Sequence, residues 1–277
     1  MKKLLKRVVP PSLRHTVKGI FDDAADLVDC VRGRKDDLVP PRRLIRNIGG
    51  SFADVGNAFC RHFVELGGLR PNERVLDAGC GVGRMAVPLT QYLAESGSYD
   101  GFDIDAREIG WCTRHITARY PNFRFKVADI YNKLYNPKGA FADTEYKFPY
   151  ADESFDFVFM TSVFTHMLQP GMENYLSEVS RTLKRDGRCL ITYFLLNEES
   201  MGLMQAKRGS LDFRHNQGAC RLADERVPEA AVAYDEAFVR NAFRANGLSI
   251  VEPVRYGRWC DRPVAFDYQD IVLARKQ

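Results

Sequence analysis

Several residues in this chain stand where their types and spacing could do chemistry together. Gly79, Gly81 and Gly83 alternate directly after Val75, Leu76 and Asp77, in the string VLDAGCGVGR. Glycines lack a Cβ, so the backbone there can pass close to a ligand, and a helix start that follows can face it. Carboxylates recur at the ends of later apolar runs, at Asp103 and Asp129. Such groups accept hydrogen bonds from hydroxyls. His166 follows a further apolar run, FDFVFMTS, and a neutral imidazole can take up a proton near physiological pH. The pattern is that of a small-molecule site with a proton acceptor beside it.

The elements that position these residues follow from periodicity. Val75 and Leu76 close a short strand, and Met85, Leu89 and Tyr92 then repeat at helical spacing. Strand, glycine turn and helix form the first unit of a dinucleotide-type α/β fold. A dehydrogenase fingerprint is G-x-G-x-x-G, but here the glycines read G-x-G-x-G and Arg84 takes the third glycine's place. Further strands are expected at Ser98–Ile104, at FRFKV, at FDFVFMTS and at RCLITYFLL. The run after Pro170 reads as a helix with Met172, Tyr175, Leu176, Val179 and Leu183 inward, ended by Asp186-Gly187. Asp235 caps another helix, and LSIVEPVRYG and YQDIVLARK are expected as the last two strands.

This string resembles motif I of the class I S-adenosylmethionine (SAM)-dependent methyltransferases. The resemblance extends in order from Val75 to Met167, including the lead-in PYADES before the fourth strand. It implies a Rossmann-like α/β fold: a seven-stranded, mostly parallel sheet with helices on both faces, and the last two strands as an antiparallel hairpin. It also implies SAM as cofactor. In that family Asp77, Gly79 and Gly81 lie under the methionine end. Asp103, about 20 residues past the last motif glycine, meets the ribose with Ile104 beside it. Asp129 and Ile130 approach the adenine, and Ser162 and Val163 approach the methionine part. SVFTHM followed by YLSEVSRTLKRDG is similar to bacterial methyltransferases of glycan and secondary-metabolite pathways. The chain has Lys184-Arg185-Asp186-Gly187 where the family usually has Lys-Pro-Gly-Gly. That departure touches a turn, not the chemistry.

The acceptor is read from what is missing as well as from what is present. Members that methylate planar amides or exocyclic amines often carry Asn/Asp-Pro-Pro-Tyr after the fourth strand. This chain has Thr161-Ser162-Val163-Phe164-Thr165-His166 there. A histidine at that place favours a hydroxyl, whose proton a base can remove as the methyl arrives. The expected activity is O-methylation, with His166 as base, His215 in reserve, and a sugar hydroxyl of a bacterial glycan or glycoside as acceptor. The alternatives are a small aromatic or polyketide-like metabolite, and a catalytically silent SAM-binding subunit.

Residues 1–68 are expected as an N-terminal helical extension and 69–277 as the methyltransferase domain. Leu13 to Val31 repeats at helical spacing, Pro40-Pro41 starts a short helix, and Phe52 to Leu66 forms another. Gly49 to Phe52 could hinge a lid, or simply break a helix. The polar stretch 198–232 reads as an insertion after the fifth strand that covers the acceptor. Between the third and fourth strands lies a long link whose aromatics, Tyr131, Tyr135, Phe141 and Tyr146, serve either stacking or packing. Arg258 and Trp259 could contact an acceptor, or Trp259 could pack on the sheet.

Composition narrows the partners. Forty basic against 36 acidic residues give a net charge of +4, too balanced to imply nucleic acid. No apolar run reaches the length of a membrane span. Seven scattered cysteines without a C-x-x-C pair read as reduced thiols, hence a cytoplasmic protein. Cys112 and His115 could share a metal, but no second pair supports one, and none is expected. Lys2, Lys3, Lys6, Arg7, Arg14 and Lys18 stand without an acidic residue in the first 18 positions. They read as a frayed basic terminus, or as a weak contact with an anionic membrane surface.

Overall fold

The computed structural model describes residues 22, 24–26, 28, 37–46, 48–133, 136–206, 209 and 211–277. The basic segment 1–18, most of the helix expected to residue 33, and Tyr135 lie outside these residues. The architecture is a seven-stranded sheet built from β1 (Arg74–Ala78), β2 (Ser98–Asp103), β3 (Phe123–Val127), β4 (Phe155–Met160), β5 (Leu183–Tyr193), β10 (Leu248–Ile250) and β11 (Asp270–Lys276). Their spatial order is β3-β2-β1-β4-β5-β11-β10. Strands β1 to β5 run parallel, and β11 is antiparallel to both of its neighbours. The chain leaves β1 toward β2 on one side and later returns to pair β4 on the other. That reversal opens a crevice at the strands' carboxyl ends, where doubly wound folds hold ligands.

The interior strands are apolar on both faces because both are covered. Successive side chains alternate between two cores. Val75, Phe157, Leu190 and Ile271 enter one cluster, while Leu76, Val158, Ile191 and Val272 enter the other. The first core is covered by α2 (Phe52–Glu65), which follows the short α1 (Arg42–Ile45). The Ser51 side chain accepts from the Asp54 amide at 3.3 Å and starts α2. Phe63 on α2 stacks on Phe159 at 4.1 Å between centroids. The second core is covered by α5 (Gln169–Thr182) and α7 (Glu236–Ala245), with Met172, Leu176, Val179, Val239 and Phe243 inward.

Four local expectations need correction. The helix after the glycine turn, α3, spans only Ala86–Leu89. Pro88 brings no amide donor to it, and turns carry the chain on to Leu93. Helix α5 ends at Thr182 rather than Asp186-Gly187, because Leu183 already pairs with Phe155 in the sheet. The next pair is Phe157 with Arg188, so the residues between bulge out, with Asp186 at φ 61°. The fifth strand leaves the main sheet before its expected end. The Leu195 amide donates to the Asp270 carboxylate at 2.7 Å, and Leu195–Leu196 becomes β6 of a second sheet. The first strand of the last hairpin stops at Ile250, and beyond it Pro253 has no ladder donor. The pairing resumes at the bridge between Arg255 and Ile271.

The insertion is not a plain covering loop. It holds α6 (Glu198–Gln205), β7 (His215–Gln217) and β8 (Cys220–Leu222), and leads into β9 (Val232–Asp235). With β6 these form a four-stranded sheet in the order β6-β9-β8-β7. Strands of three residues leave no readable alternation in a sequence. Trp259 is fully buried in a third core with Phe194 and Phe213, which settles its two readings in favour of packing. No helix among the described residues is long and apolar enough to cross a membrane.

Candidate active site

The site begins at the end of β1. The Gly79 and Cys80 amides both donate to the Phe102 carbonyl, at 2.9 and 3.0 Å, which folds the loop back over β2. Gly79 has φ +90°, and a Cβ there would stand 2.4 Å from Val163 Cγ2. No other residue fits that position. The Gly81 amide donates to Asp103 Oδ2 at 2.8 Å, and the Asp105 amide to Asp103 Oδ1 at 3.0 Å. The loop is therefore tied to the end of β2 through one carboxylate. Burial pushes the Asp103 carboxyl above its ordinary range, against the pull of these amides.

Beside the loop lies a cavity of about 580 Å³. Of the residues expected from the sequence, Gly79, Asp103, Ile104, Ile130, Ser162, Val163 and His166 line it. The other three stand apart from its wall. Asp77 is buried beneath the loop, where it accepts from the Tyr99 hydroxyl at 2.6 Å. Burial drives its carboxyl up to about 8, with the Tyr99 bond opposing and Asp103 adding to the shift. Gly81 acts through its amide on Asp103. Asp129 is exposed, and its carbonyl accepts from the Phe141 amide at 3.1 Å.

Ser162 takes a left-handed backbone, φ 61°, a costly state that recurs where structure over-determines a functional turn. Its amide donates to Thr192 Oγ1 at 2.8 Å and its hydroxyl to Gln269 Oε1 at 3.1 Å. The turn Phe164–His166 follows. Phe164 and Thr165 are fully buried and anchor it, and His166 is carried to the cavity wall. His166 Nδ1 lies 2.9 Å from the Glu229 carbonyl oxygen. A carbonyl can only accept, so Nδ1 carries the hydrogen and Nε2 of the neutral ring holds a bare lone pair. His215, the reserve candidate, pairs instead with Glu225 at 2.9 Å and does not line the cavity.

The cavity wall also holds Arg43, Glu108 and Asp143, which sequence reasoning missed, and Glu229, which it placed only among the polar residues of an insertion over the acceptor. Glu108 stands one helical turn after Asp105, the cap of α4 (Ala106–Cys112). Its spacing from Asp103 was the signal available. Burial, with Asp103 and Asp105 adding, raises its carboxyl to about 7. Asp143 comes from the long link and Glu229 from the insertion, segments whose composition drew attention without singling out either carboxylate. Cys112 turns to the Gly81 carbonyl while His115 stacks on Trp111. Arg258 is exposed and does not line the cavity.

A family model described as a methyltransferase domain matches residues 69–216, more than half of the chain. The chain belongs to the class I SAM-dependent methyltransferases. Among curated relatives, phosphoethanolamine N-methyltransferase of Triticum aestivum is 28% identical over 191 residues, 60% of this chain and 34% of that protein. A probable cobalt-precorrin-6B C(15)-methyltransferase of Thermoplasma acidophilum is 34% identical over 65 residues, 23% of this chain and 32% of that protein. The chain thus spans about a third of the length of these relatives. Among solved structures, 1,6-didemethyltoxoflavin-N1-methyltransferase of Burkholderia thailandensis covers 98% of this chain and 92% of its own, at TM-score 0.53 and 19% identity. The PH0226 protein of Pyrococcus horikoshii covers 81% and 90% at TM-score 0.57 and 16% identity. These likenesses establish the fold.

The methyltransferase's own residues fit SAM. The Gly79 cradle is space that a Cβ would fill, and Ile104 and Ile130 supply apolar wall. Each Asp103 oxygen takes one amide, so each keeps a lone pair for one of two neighbouring ribose hydroxyls. Charge-assisted bonds of this kind contribute about 1.5–3 kcal/mol. Asp103→Ala is therefore expected to weaken SAM about tenfold or more by titration calorimetry. Unchanged affinity would remove Asp103 from the site.

Proposed function

We propose that this methyltransferase transfers the methyl group to a hydroxyl of a sugar in a glycan or glycoside, with His166 as general base. The observation that carries the reading is the Nδ1–Glu229 carbonyl bond, which leaves Nε2 as proton acceptor on a cavity wall. Bound SAM supplies a methyl on a positively charged sulfur, which departs as a neutral thioether. The chain must hold the acceptor oxygen in line, at about 3 Å, and keep water away. His166 takes the hydroxyl proton while the new O–C bond forms; a sugar hydroxyl is too weak an acid to ionise beforehand. Asn132, Asp143, Thr161 and Glu229 offer hydrogen-bonding groups for a polyhydroxylated ligand, and Tyr131 offers a ring. Arg43, Leu44 and Ile48, from the segment before the domain, complete the wall and support its reading as a lid.

Tyr131 is 52% exposed, and this favours a flat aromatic acceptor as the second reading. The test is S-adenosylhomocysteine release with matched panels of glycosides, phenols and phosphoethanolamine, the methylated atom being assigned by mass spectrometry and NMR. Turnover concentrated on glycosides, with an O-methyl product, is expected. Turnover confined to phenols or to amine nitrogen would overturn the sugar-hydroxyl reading.

A further inference from the structure

Strand β4 loses its partners at the edge of the cavity. Its pairing with β1 ends at Phe159 opposite Asp77, and its pairing with β5 ends at Met160 opposite Ile191. The chain then turns out of the sheet through Thr161 and Ser162. The Ser162 amide donates to a side chain instead of a strand carbonyl: Thr192 Oγ1, at 2.8 Å. Thr192 is the next residue of β5 after Ile191 and is fully buried. Its main chain is paired on the other side, with Ile271 of β11. Its neighbours along the strand are Leu190, Ile191 and Tyr193, so a hydroxyl here stands in apolar surroundings and needs a partner.

What Thr192 holds is a turn that faces two ways. Ser162 is left-handed, at φ 61°, a backbone state that a residue with a Cβ keeps only where its surroundings impose it. On one side Val163 packs against Gly79, where a Cβ would stand 2.4 Å from Val163 Cγ2. Gly79, Ser162 and Val163 all line the cavity. On the other side the Val163 carbonyl accepts the His166 amide at 2.9 Å, so the turn that carries His166 hangs from the same residue. A second hold on Ser162, its hydroxyl on Gln269 Oε1 at 3.1 Å, is exposed, and water competes there for both groups. Solvent does not reach the Thr192 side chain.

We propose that Thr192 is a positioning residue for the cofactor half of the site: by accepting the Ser162 amide it fixes the left-handed turn that seats Val163 against Gly79. Thr192 does not line the cavity. It acts through Ser162 and Val163, and it acts whatever the acceptor is. Without its oxygen the turn is free to leave the left-handed region, and Val163 moves with it. Only the molecules with the turn formed then bind SAM, and the apparent Kd rises by the inverse of their fraction. A competent fraction of about one tenth gives about a tenfold loss of affinity.

The test is calorimetric titration of S-adenosylhomocysteine into the full chain, well below Tm, for Thr192→Val, Thr192→Ser and Thr192→Cys. Valine keeps the shape and removes the acceptor. Serine keeps the oxygen and removes a methyl, and cysteine puts a weak acceptor in its place. The valine variant is expected to raise Kd about tenfold, the serine variant to stay within about threefold of the native chain, and the cysteine variant to fall between. Cysteine against serine makes the same comparison if the valine variant fails to fold. Hydrogen exchange adds a readout that a merely structural threonine would not move. In the valine or cysteine variant the amides of 161–166 are expected to exchange faster without ligand and to regain protection at saturating S-adenosylhomocysteine. A folded valine variant with native affinity, a serine variant as weak as the valine one, or native exchange at 161–166 would overturn the assignment. None of these outcomes touches the choice of acceptor, which the panel of glycosides, phenols and phosphoethanolamine decides separately.

Discussion

Replacing His166 by asparagine is expected to lower kcat by about two to four orders of magnitude, while SAM affinity and Tm stay near those of the native chain. General-base assistance is typically worth about 10²–10⁴ in rate. Asparagine suits the test because its side-chain amide can still donate to the Glu229 carbonyl, as His166 Nδ1 does at 2.9 Å, yet it offers no basic nitrogen. The tether is kept and the proton acceptor is lost. If the tether alone mattered, the asparagine variant would turn over normally and His166→Ala would fall in both stability and activity. If the base matters, both variants lose kcat, and the loss appears equally in kcat/KM because the interaction belongs to the transition state. A well-folded asparagine variant with unchanged kcat would end the assignment.

What could be read from the sequence divides along a physical line. Gly79 was legible because only glycine meets its backbone angle and the contact with Val163, and such demands show in residue type. Asp103 and His166 were legible because a strand's carboxyl end is set by where its apolar run stops. Asp143 and Glu229 were legible only as members of the long link and of the insertion expected over the acceptor, since nothing local singles out either carboxylate. They reach the cavity through the packing of Asp143 on Gly171 and the turn at Pro228. The end of α5 was misplaced for a related reason. Helical periodicity carried on to Leu183, but pairing with Phe155 claims that residue for the sheet. The tautomer of His166 depends on a main-chain oxygen 63 residues away, and a carbonyl leaves no trace in residue identity.

Asp270→Ala is expected to destabilise the fold by about 3–5 kcal/mol at pH 8, the typical cost of removing one partner of a buried, hydrogen-bonded ion pair. Asp270 is fully buried at the start of β11. Its Oδ2 accepts from the Leu195 amide and from Trp259 Nε1, both at 2.7 Å. Its Oδ1 accepts from the Gly257 amide at 2.6 Å and from Arg262 Nη1 at 3.1 Å. The Arg262 side chain is 1% exposed and also reaches Glu199 and the Gly257 carbonyl. Burial raises the Asp270 carboxyl to about 6 even against these donors, so at pH 8 it is ionised and Arg262 depends on it. Alanine would leave three N–H donors in the core without an acceptor and take from Arg262 its buried carboxylate, leaving the guanidinium with Glu199 and the Gly257 carbonyl. For a chain of this size the loss corresponds to a fall in Tm of roughly 6–20 °C. Removing both charges separates this account from a simple cavity effect. Asp270→Leu combined with Arg262→Met is expected to recover part of the loss, because an apolar pair leaves no buried charge unpaired. A double variant at least as unstable as Asp270→Ala would show that the cost comes from packing and not from charge. The effect should also reach the cavity. Gln269, the neighbour of Asp270, accepts the Ser162 hydroxyl at 3.1 Å, so loosening the start of β11 frees the turn that leads to His166. In the folded fraction of Asp270→Ala, SAM is accordingly expected to bind more weakly, and calorimetry well below Tm reads that coupling directly.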